Sequence, residues 1–188
     1  CGVVTQEDGL LPFDRVLVAC GAETPAVVGS LGYSLPDGSV LSMLAITEPA
    51  DALPEKVFNT PRVALRPNPG QTLALDHSWY VEDIHQQDDG SFTVSPQIPA
   101  RLLEEAGRIL STGTPLKVAS YKAGRKPVPS DGFPVLGELP GFPGCFVAFT
   151  HSGATLALII GELLAGEMVT GKRHPMLSDF RPERFSQE

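Results

Sequence analysis

Cysteine is scarce. The three in 188 residues, Cys1, Cys20 and Cys145, are far apart and odd in number, and no CxxC or Cys/His spacing suits structural zinc or dithiol redox chemistry. Reduced thiols and a cytoplasmic location are therefore expected. Positive charge is also short. The 14 Lys and Arg stand against 22 Asp and Glu for a formal net charge of −8, and without a basic cluster the chain lacks the surface that nucleic-acid phosphates require. His77 and His85 have no acidic or cysteine partners at ligand spacing, so no metal is expected. No run approaches the roughly eighteen apolar residues of a membrane span, so no transmembrane segment is expected. No secretory or transit leader is visible, and the chain opens at Cys1 rather than Met, which suggests a piece of a longer protein.

What is present describes a folded, layered chain. Hydrophobic residues are 42% and charged residues 19%, a balance that excludes a disordered tail. The length suits one domain or a domain and a half. The 18 Pro and 19 Gly are scattered between apolar runs, the texture of many short strands and turns.

The run Val16-Leu17-Val18-Ala19 before Gly21 suits a short strand buried on both faces, as in layered α/β sheets. Thr24 then reads as an N-cap, with Pro25 at the first helical position, of a short helix ended by Gly29 and Gly32. Between residues 39 and 94 the pattern becomes alternating and β-rich, with strands expected at 40–47, 62–65, 71–75, 79–84 and 91–94. They are punctuated by Pro67-Asn68-Pro69-Gly70 and Asp88-Asp89-Gly90. An amphipathic helix is expected over 99–111 and a strand over 115–121. Residues 123–137 hold so much Gly and Pro that regular helix is precluded and only short extended pieces are allowed, so a rigid, winding path is expected. Cys145 to Phe149 form a second fully apolar strand, followed by a turn at Thr150 to Thr155 and an apolar helix to Thr170 closed by Gly171. The fold class expected is α+β / α/β: an antiparallel sheet domain with a flanking helix over 39–122, with 1–38 and 123–188 building a small α/β layer from the two chain ends.

The candidate chemistry lies in two places. A helix start leaves backbone N–H groups unpaired and carries partial positive charge, so the turn His151-Ser152-Gly153-Ala154-Thr155 could hold an anion or a ring that becomes anionic. Gly153 would let a ligand approach the backbone. On spacing alone, Ser152 or Thr150 capping a buried helix is the commoner role. Arg125 carries the fork suited to gripping a carboxylate, although a surface arginine is the more frequent fate. His151 is as well explained by orienting a ligand as by donating to a backbone carbonyl. It forms no hydrolase dyad with adjacent Ser152, and there is no GxSxG elbow. Asp131-Gly132 is by default a turn pair. Tyr80 and Tyr121 are either pocket walls or core, and Arg66 is either a second anion contact or a strand-end charge.

At these residues the chain resembles the D-amino-acid oxidase superfamily, which includes glycine oxidase, sarcosine oxidase and D-amino-acid dehydrogenase. Gly124-Arg125-Lys126-Pro127 with Pro129-Ser130-Asp131-Gly132-Phe133-Pro134-Val135-Leu136-Gly137 is similar to G-x-R-P followed by T-P-D-G-x-P-x-I-G. His151 to Leu156 is similar to H-S-G-x-T-L, residues 177–185 to L-x-x-F-x-P-x-R-F, and Val16 to Gly21 to V-L-A-x-G. The resemblance implies an FAD-dependent oxidoreductase, here its carboxy-terminal portion, oxidising the C–N bond of an amino acid or amine. Arg125 would hold the substrate carboxylate and His151 would act beside it. Asp131, Gly132, Pro134, Gly137 and the turn from His151 through Ser152, Gly153, Ala154 and Thr155 would contact FAD, with Arg125 and the turn facing one cleft. Two departures stand out. The family's G-x-G-x-x-G is absent, so the partner implied is a missing amino-terminal dinucleotide-binding segment of the same protein. Lys126 also stands between Arg125 and Pro127. A non-catalytic β-rich binding domain, or an FAD-free fragment, is the alternative.

Overall fold

In a computed structural model, residues 2–5, 7–51, 53–110 and 115–185 are described. The chain divides into two compact units, one made of residues 1–40 and 126–188, the other of residues 41–125.

The first unit begins with an exposed antiparallel hairpin, β1 (Gly2–Thr5) and β2 (Gly9–Pro12). Strand β3 (Val16–Val18) follows, then a 3-10 turn and α1 (Thr24–Gly29). Thr24 is the first residue of α1 rather than its N-cap. Its hydroxyl instead accepts the Cys20 N–H at 3.0 Å, so the side chain fastens the preceding turn.

The second unit is built around the antiparallel strands β4 (Val40–Thr47), β5 (Phe58–Asn59), β6 (Ala64–Asn68) and β7 (Thr72–Asp76). After a 3-10 turn come the small hairpin β8 (Ile84–Gln86) and β9 (Phe92–Val94), then α2 (Gln97–Ile109) and β10 (Val118–Lys126). The main sheet is ordered β10-β4-β7-β6-β5. Its core holds Met43, Ala45, Leu65, Leu73, Leu75 and Tyr80 against the α2 stripe of Ile98, Leu102, Leu103 and Ala106. Alternation in the strands and the i, i+4 spacing in the helix place these apolar sets face to face. On the solvent side of α2, Glu105 pairs with Arg62 and Arg108.

One expectation fails in this unit. Residues 79–84 are a turn and a 3-10 helix over Val81–Asp83, with β8 starting only at Ile84. The cause is Tyr80, which is fully buried. Its hydroxyl oxygen lies 2.7 Å from the Met43 carbonyl and 2.7 Å from an Asp76 carboxylate oxygen, and accepts the His77 N–H at 3.1 Å. These bonds close a tight turn where an extended strand would point Tyr80 elsewhere. Burial, and then the Asp76 carboxylate, push the phenol's pKa upward, so Tyr80 is a neutral core anchor and not a pocket wall. The Gly- and Pro-rich segment opens on one of its short extended pieces: β10 carries Gly124 and Arg125 in extended backbone up to Lys126, and the winding path starts at Pro127.

The chain returns to the first unit with β11 (Val135–Glu138), β12 (Cys145–Phe149) and α3 (Gly153–Thr170), and ends in 3-10 turns over Pro175–Phe180 and Pro182–Phe185. The sheet order is β11-β12-β3; β11 and β12 pair antiparallel, whereas β12 and β3 pair parallel. One face, with Val18, Val135, Val147 and Phe149, is covered by Val28 of α1 and by Leu35. The other packs Leu136 against Ile160 and Leu164 of α3 and against Leu177. Gly171 caps α3 in the left-handed region at φ 68°, a geometry that favours glycine. Although no apolar run of membrane length is evident in the sequence, α3 is long and apolar enough, by length and composition, to cross a membrane.

Candidate functional site

The start of α3 is set by a strand, a short turn and a glycine. Thr150 Oγ1 accepts the Ser152 N–H at 3.2 Å, and the Ser152 carbonyl accepts the N–H groups of Thr155 and Leu156 at 3.0 and 2.9 Å. Ser152 occupies the N-cap position, but its side chain caps no amide. It lies instead 3.4 Å from Nδ1 of the exposed His151. A Cβ placed on Gly153 would meet nothing within 4 Å, and Ala154 and Thr155 are exposed. The first turn of an eighteen-residue helix is thus open to solvent, with no acidic side chain in it. The first amides of a helix sit at the positive end of its dipole; the Thr155 N–H is already taken by the Ser152 carbonyl, so the amides of Gly153 and Ala154 are the ones a ligand would meet. The arrangement suits a planar ligand edge that gains negative charge.

The loop before β11 is organised by charge. Asp131 Oδ1 accepts the Phe133 N–H at 3.0 Å, and the Gly132 N–H donates to the Pro129 carbonyl at 2.8 Å with Gly132 at φ 80°. Both Asp131 carboxylate oxygens accept from Arg184, at 2.8 and 3.1 Å. The same guanidinium donates to the Phe133 carbonyl at 2.9 Å and stacks 4.3 Å from the Phe185 ring. The Arg184 hydrogen bonds hold the Asp131 carboxyl below the usual carboxylate range, outweighing the opposing effect of burial. Pro134 is half-buried directly before β11. In β11, Gly137 adopts φ 128°, and a Cβ there would lie 2.7 Å from Nη1 of Arg181, so the bare glycine makes room for that side chain.

Arg181 in turn forms a two-pronged bond with Glu167 of α3, at 2.8 and 2.6 Å, with both groups buried. Glu167 Oε1 also accepts the His174 N–H, and Arg181 donates to the His174 carbonyl at 3.2 Å. Burial pushes the Glu167 carboxyl up, but the Arg181 and His174 hydrogen bonds outweigh it and leave the group below its ordinary value. Sequence reasoning passed over Glu167, Arg181 and Arg184. The signals were the second of two acids, Glu162 and Glu167, in an otherwise apolar helix, and two arginines flanking Pro182 in the closing motif.

The predicted site residues thus fall in both units. Arg125 is exposed on β10 of the second unit, whereas Asp131, Gly132, Pro134, Gly137 and His151 to Thr155 belong to the first. Tyr121, also on β10, is exposed, as is Arg66 on β6. A hollow of about 450 Å³ in the second unit is lined by Ala100, Leu103, Gly107, Leu116 and neighbours and by none of these residues. Among the described residues no group of His, Cys, Asp and Glu is arranged to hold a metal.

A family model described as FAD dependent oxidoreductase matches residues 2–167. An opine oxidase component of Agrobacterium tumefaciens is 26% identical over 172 residues, covering 91% of this chain and 43% of the relative. Glycine oxidase of Pseudomonas aeruginosa is 28% identical over 182 residues, covering 94% of this chain and 46% of that protein. Among solved structures, glycine oxidase from Geobacillus kaustophilus superimposes with a TM-score of 0.70 at 23% identity, over 96% of this chain and 48% of its own. L-Amino acid deaminase from Proteus myxofaciens, in complex with anthranilate, gives a TM-score of 0.80 at 14% identity, over 96% of this chain and 52% of its own. The chain therefore spans about half the length of the curated relatives it matches.

Proposed function

The chain belongs to the FAD dependent oxidoreductase family, and on that premise we propose that it is the substrate-facing half of an enzyme that oxidises the C–N bond of an amino acid or amine. The observation that carries this reading is the α3 start, where the Ser152 side chain caps no amide and the space beside Gly153 is open. These residues fit one edge of a flavin ring. They do not supply a pyrophosphate cradle, because no G-x-G-x-x-G occurs in the chain.

FAD, when bound, supplies a two-electron acceptor for hydride leaving the carbon that bears the nitrogen. The residues of this chain orient and stabilise. The amides of Gly153 and Ala154 would line the flavin edge that gains negative charge, where the oriented dipole would stabilise that charge without reorganising. His151 would line the same edge. The Arg125 guanidinium would grip the substrate carboxylate through two parallel hydrogen bonds. Loss of hydride from the unprotonated amine leaves an iminium ion, which water hydrolyses to a carbonyl compound and the protonated amine or ammonium. No side-chain base is needed if the amine enters unprotonated.

The test uses the full-length parent protein. It should purify yellow, with flavin absorbance that bleaches anaerobically on addition of an amino acid or secondary amine. Arg125→Ala should raise KM for a carboxylate-bearing substrate by about 10- to 100-fold, the loss of one charged hydrogen-bonded clamp, while flavin content stays the same. An unchanged KM would remove Arg125 from the site. A colourless parent that takes up no FAD on refolding would favour a non-catalytic binding domain of the same fold.

A further inference from the structure

The second unit carries a rigid cationic corner that the proposed chemistry does not use. Trp79 is the only tryptophan in the chain, and it is held in place while only partly buried. Its indole N–H donates to the Arg62 carbonyl at 2.9 Å, and its ring meets Tyr80 edge-on at 5.2 Å. The guanidiniums of Arg62, from the turn between β5 and β6, and of Arg101, from α2, lie 5.1 and 4.7 Å from the ring. An aromatic face attracts each cation, but two cations brought to one ring repel each other. Glu105 compensates only Arg62 and Arg108, and Glu104 lines the hollow beside Ala100 and Gly107. Among the described residues Arg101 makes no ion pair; its partner is the indole. Three guanidiniums thus stand against one carboxylate, on a chain whose formal net charge is −8.

Directly after Trp79 the sign of the charge reverses. The 3-10 helix Val81–Asp83 exposes Glu82 and Asp83, and among the described residues neither forms an ion pair. A surface whose positive and negative halves adjoin is complementary to itself after a two-fold rotation, the symmetry of most dimers. We propose that this corner is an isologous contact between two copies of the protein: Arg62 and Arg101 of one copy meet Glu82 and Asp83 of the other, and Trp79, between the two halves, sits near the two-fold axis. Tryptophan and arginine are enriched where interface energy concentrates. A side chain already fixed by a hydrogen bond and ring stacking also loses little entropy on docking. The contact rests on the second unit alone and stands whether or not the protein binds FAD.

Charge-swapped variants of the full-length parent test the contact by sedimentation velocity. The parent should associate at least to a dimer. The double variant Arg62→Glu with Arg101→Glu should lose that step of assembly, as should Glu82→Arg with Asp83→Arg, because each sets like charges opposite one another and weakens association by about 100-fold or more. Mixed in equal amounts, the two variants should associate again, since each presents to the other the sign that it lacks. All four side chains are exposed, so the substitutions leave the core of the unit untouched. Wild-type protein supplies a measurement that needs no variant: raising the salt from about 0.05 M to about 0.5 M should weaken association by about tenfold or more, because salt screens exposed charges. A parent that stays monomeric at about 0.1 mM, far above the micromolar constants of weak specific interfaces, overturns the proposal. So does an assembly that is insensitive to salt or that both variants leave intact, and so does a pair of dissociated variants that mixing does not restore.

Discussion

Glu167→Ala should be among the most damaging single substitutions in the first unit. Glu167 is 4% and Arg181 7% exposed, and their two hydrogen bonds are 2.6 and 2.8 Å long. Removing the carboxylate leaves a guanidinium buried without a counter-charge and strips the His174 N–H of its acceptor. Breaking one side of a buried pair costs about 3–5 kcal/mol, against a total stability of about 5–15 kcal/mol. At about 2–4 °C per kcal/mol for a chain of this size, the melting temperature should fall by about 6–20 °C. Differential scanning calorimetry of the purified chain measures it, with Arg108→Ala as the control. Arg108 pairs with Glu105 at the surface, so that loss should be under about 1 kcal/mol. The double variant Glu167→Met with Arg181→Met should recover most of the stability, because no charge is then left buried. The pH dependence follows from the lowered Glu167 pKa. A carboxyl held below its unfolded value contributes stability above that value, near about 4.3, and loses it as the pH falls through the folded pKa. The gap between wild type and Arg181→Met should therefore narrow as the medium is made acidic. A Glu167→Ala cost no larger than that of Arg108→Ala would refute the buried-pair argument.

Three further outcomes follow from the geometry. Gly137→Ala, which sets a Cβ 2.7 Å from Arg181 at φ 128°, should destabilise the chain by about 1–3 kcal/mol, whereas Gly124→Ala, with open space around it, should be near neutral; urea midpoints compare them. Asp131→Asn should cost at most about 1 kcal/mol, since the pair with Arg184 is partly exposed, and the loss should vanish as the pH falls below the ordinary carboxylate range, because only the ionised Asp131 of the wild type gains from Arg184. Tyr80→Phe leaves the His77 N–H without its acceptor in the core and should cost about 1–3 kcal/mol, read as a lower unfolding midpoint in the fluorescence of the adjacent Trp79, which stacks edge-on at 5.2 Å.

The parts of this fold that can be read from sequence are those in which local pattern and tertiary environment agree. Val16–Val18, Val40–Thr47 and Cys145–Phe149 emerge as strands, because continuous or alternating apolar residues have one way to be buried in a sheet. The α3 boundaries follow from Gly153 and the left-handed Gly171. Where a distant partner decides, pattern alone fails. Tyr80 has the composition of a strand residue, but its hydroxyl is claimed by Met43, 37 positions away, and that bond forces a turn. The hairpin Gly2–Thr5 with Gly9–Pro12 is largely exposed on both strands, so it shows no alternation to detect. The site divides in the same way. The turn His151 to Thr155 and the Asp131-Gly132 loop are legible as segments, since glycine and helix-start chemistry are local. Arg184 and Arg181 are not legible as partners, because the contacts that fix their roles, with Asp131 53 positions away and with Glu167 across the end of α3, exist only once the closing 3-10 turns fold back onto β11. Those two arginines brace β11 and the carboxy-terminal end of α3, whereas the amides proposed to face the flavin lie at the opposite end of the helix. A variant at Arg181 should consequently lose stability before it loses any chemistry, and one at Gly153 should do the reverse.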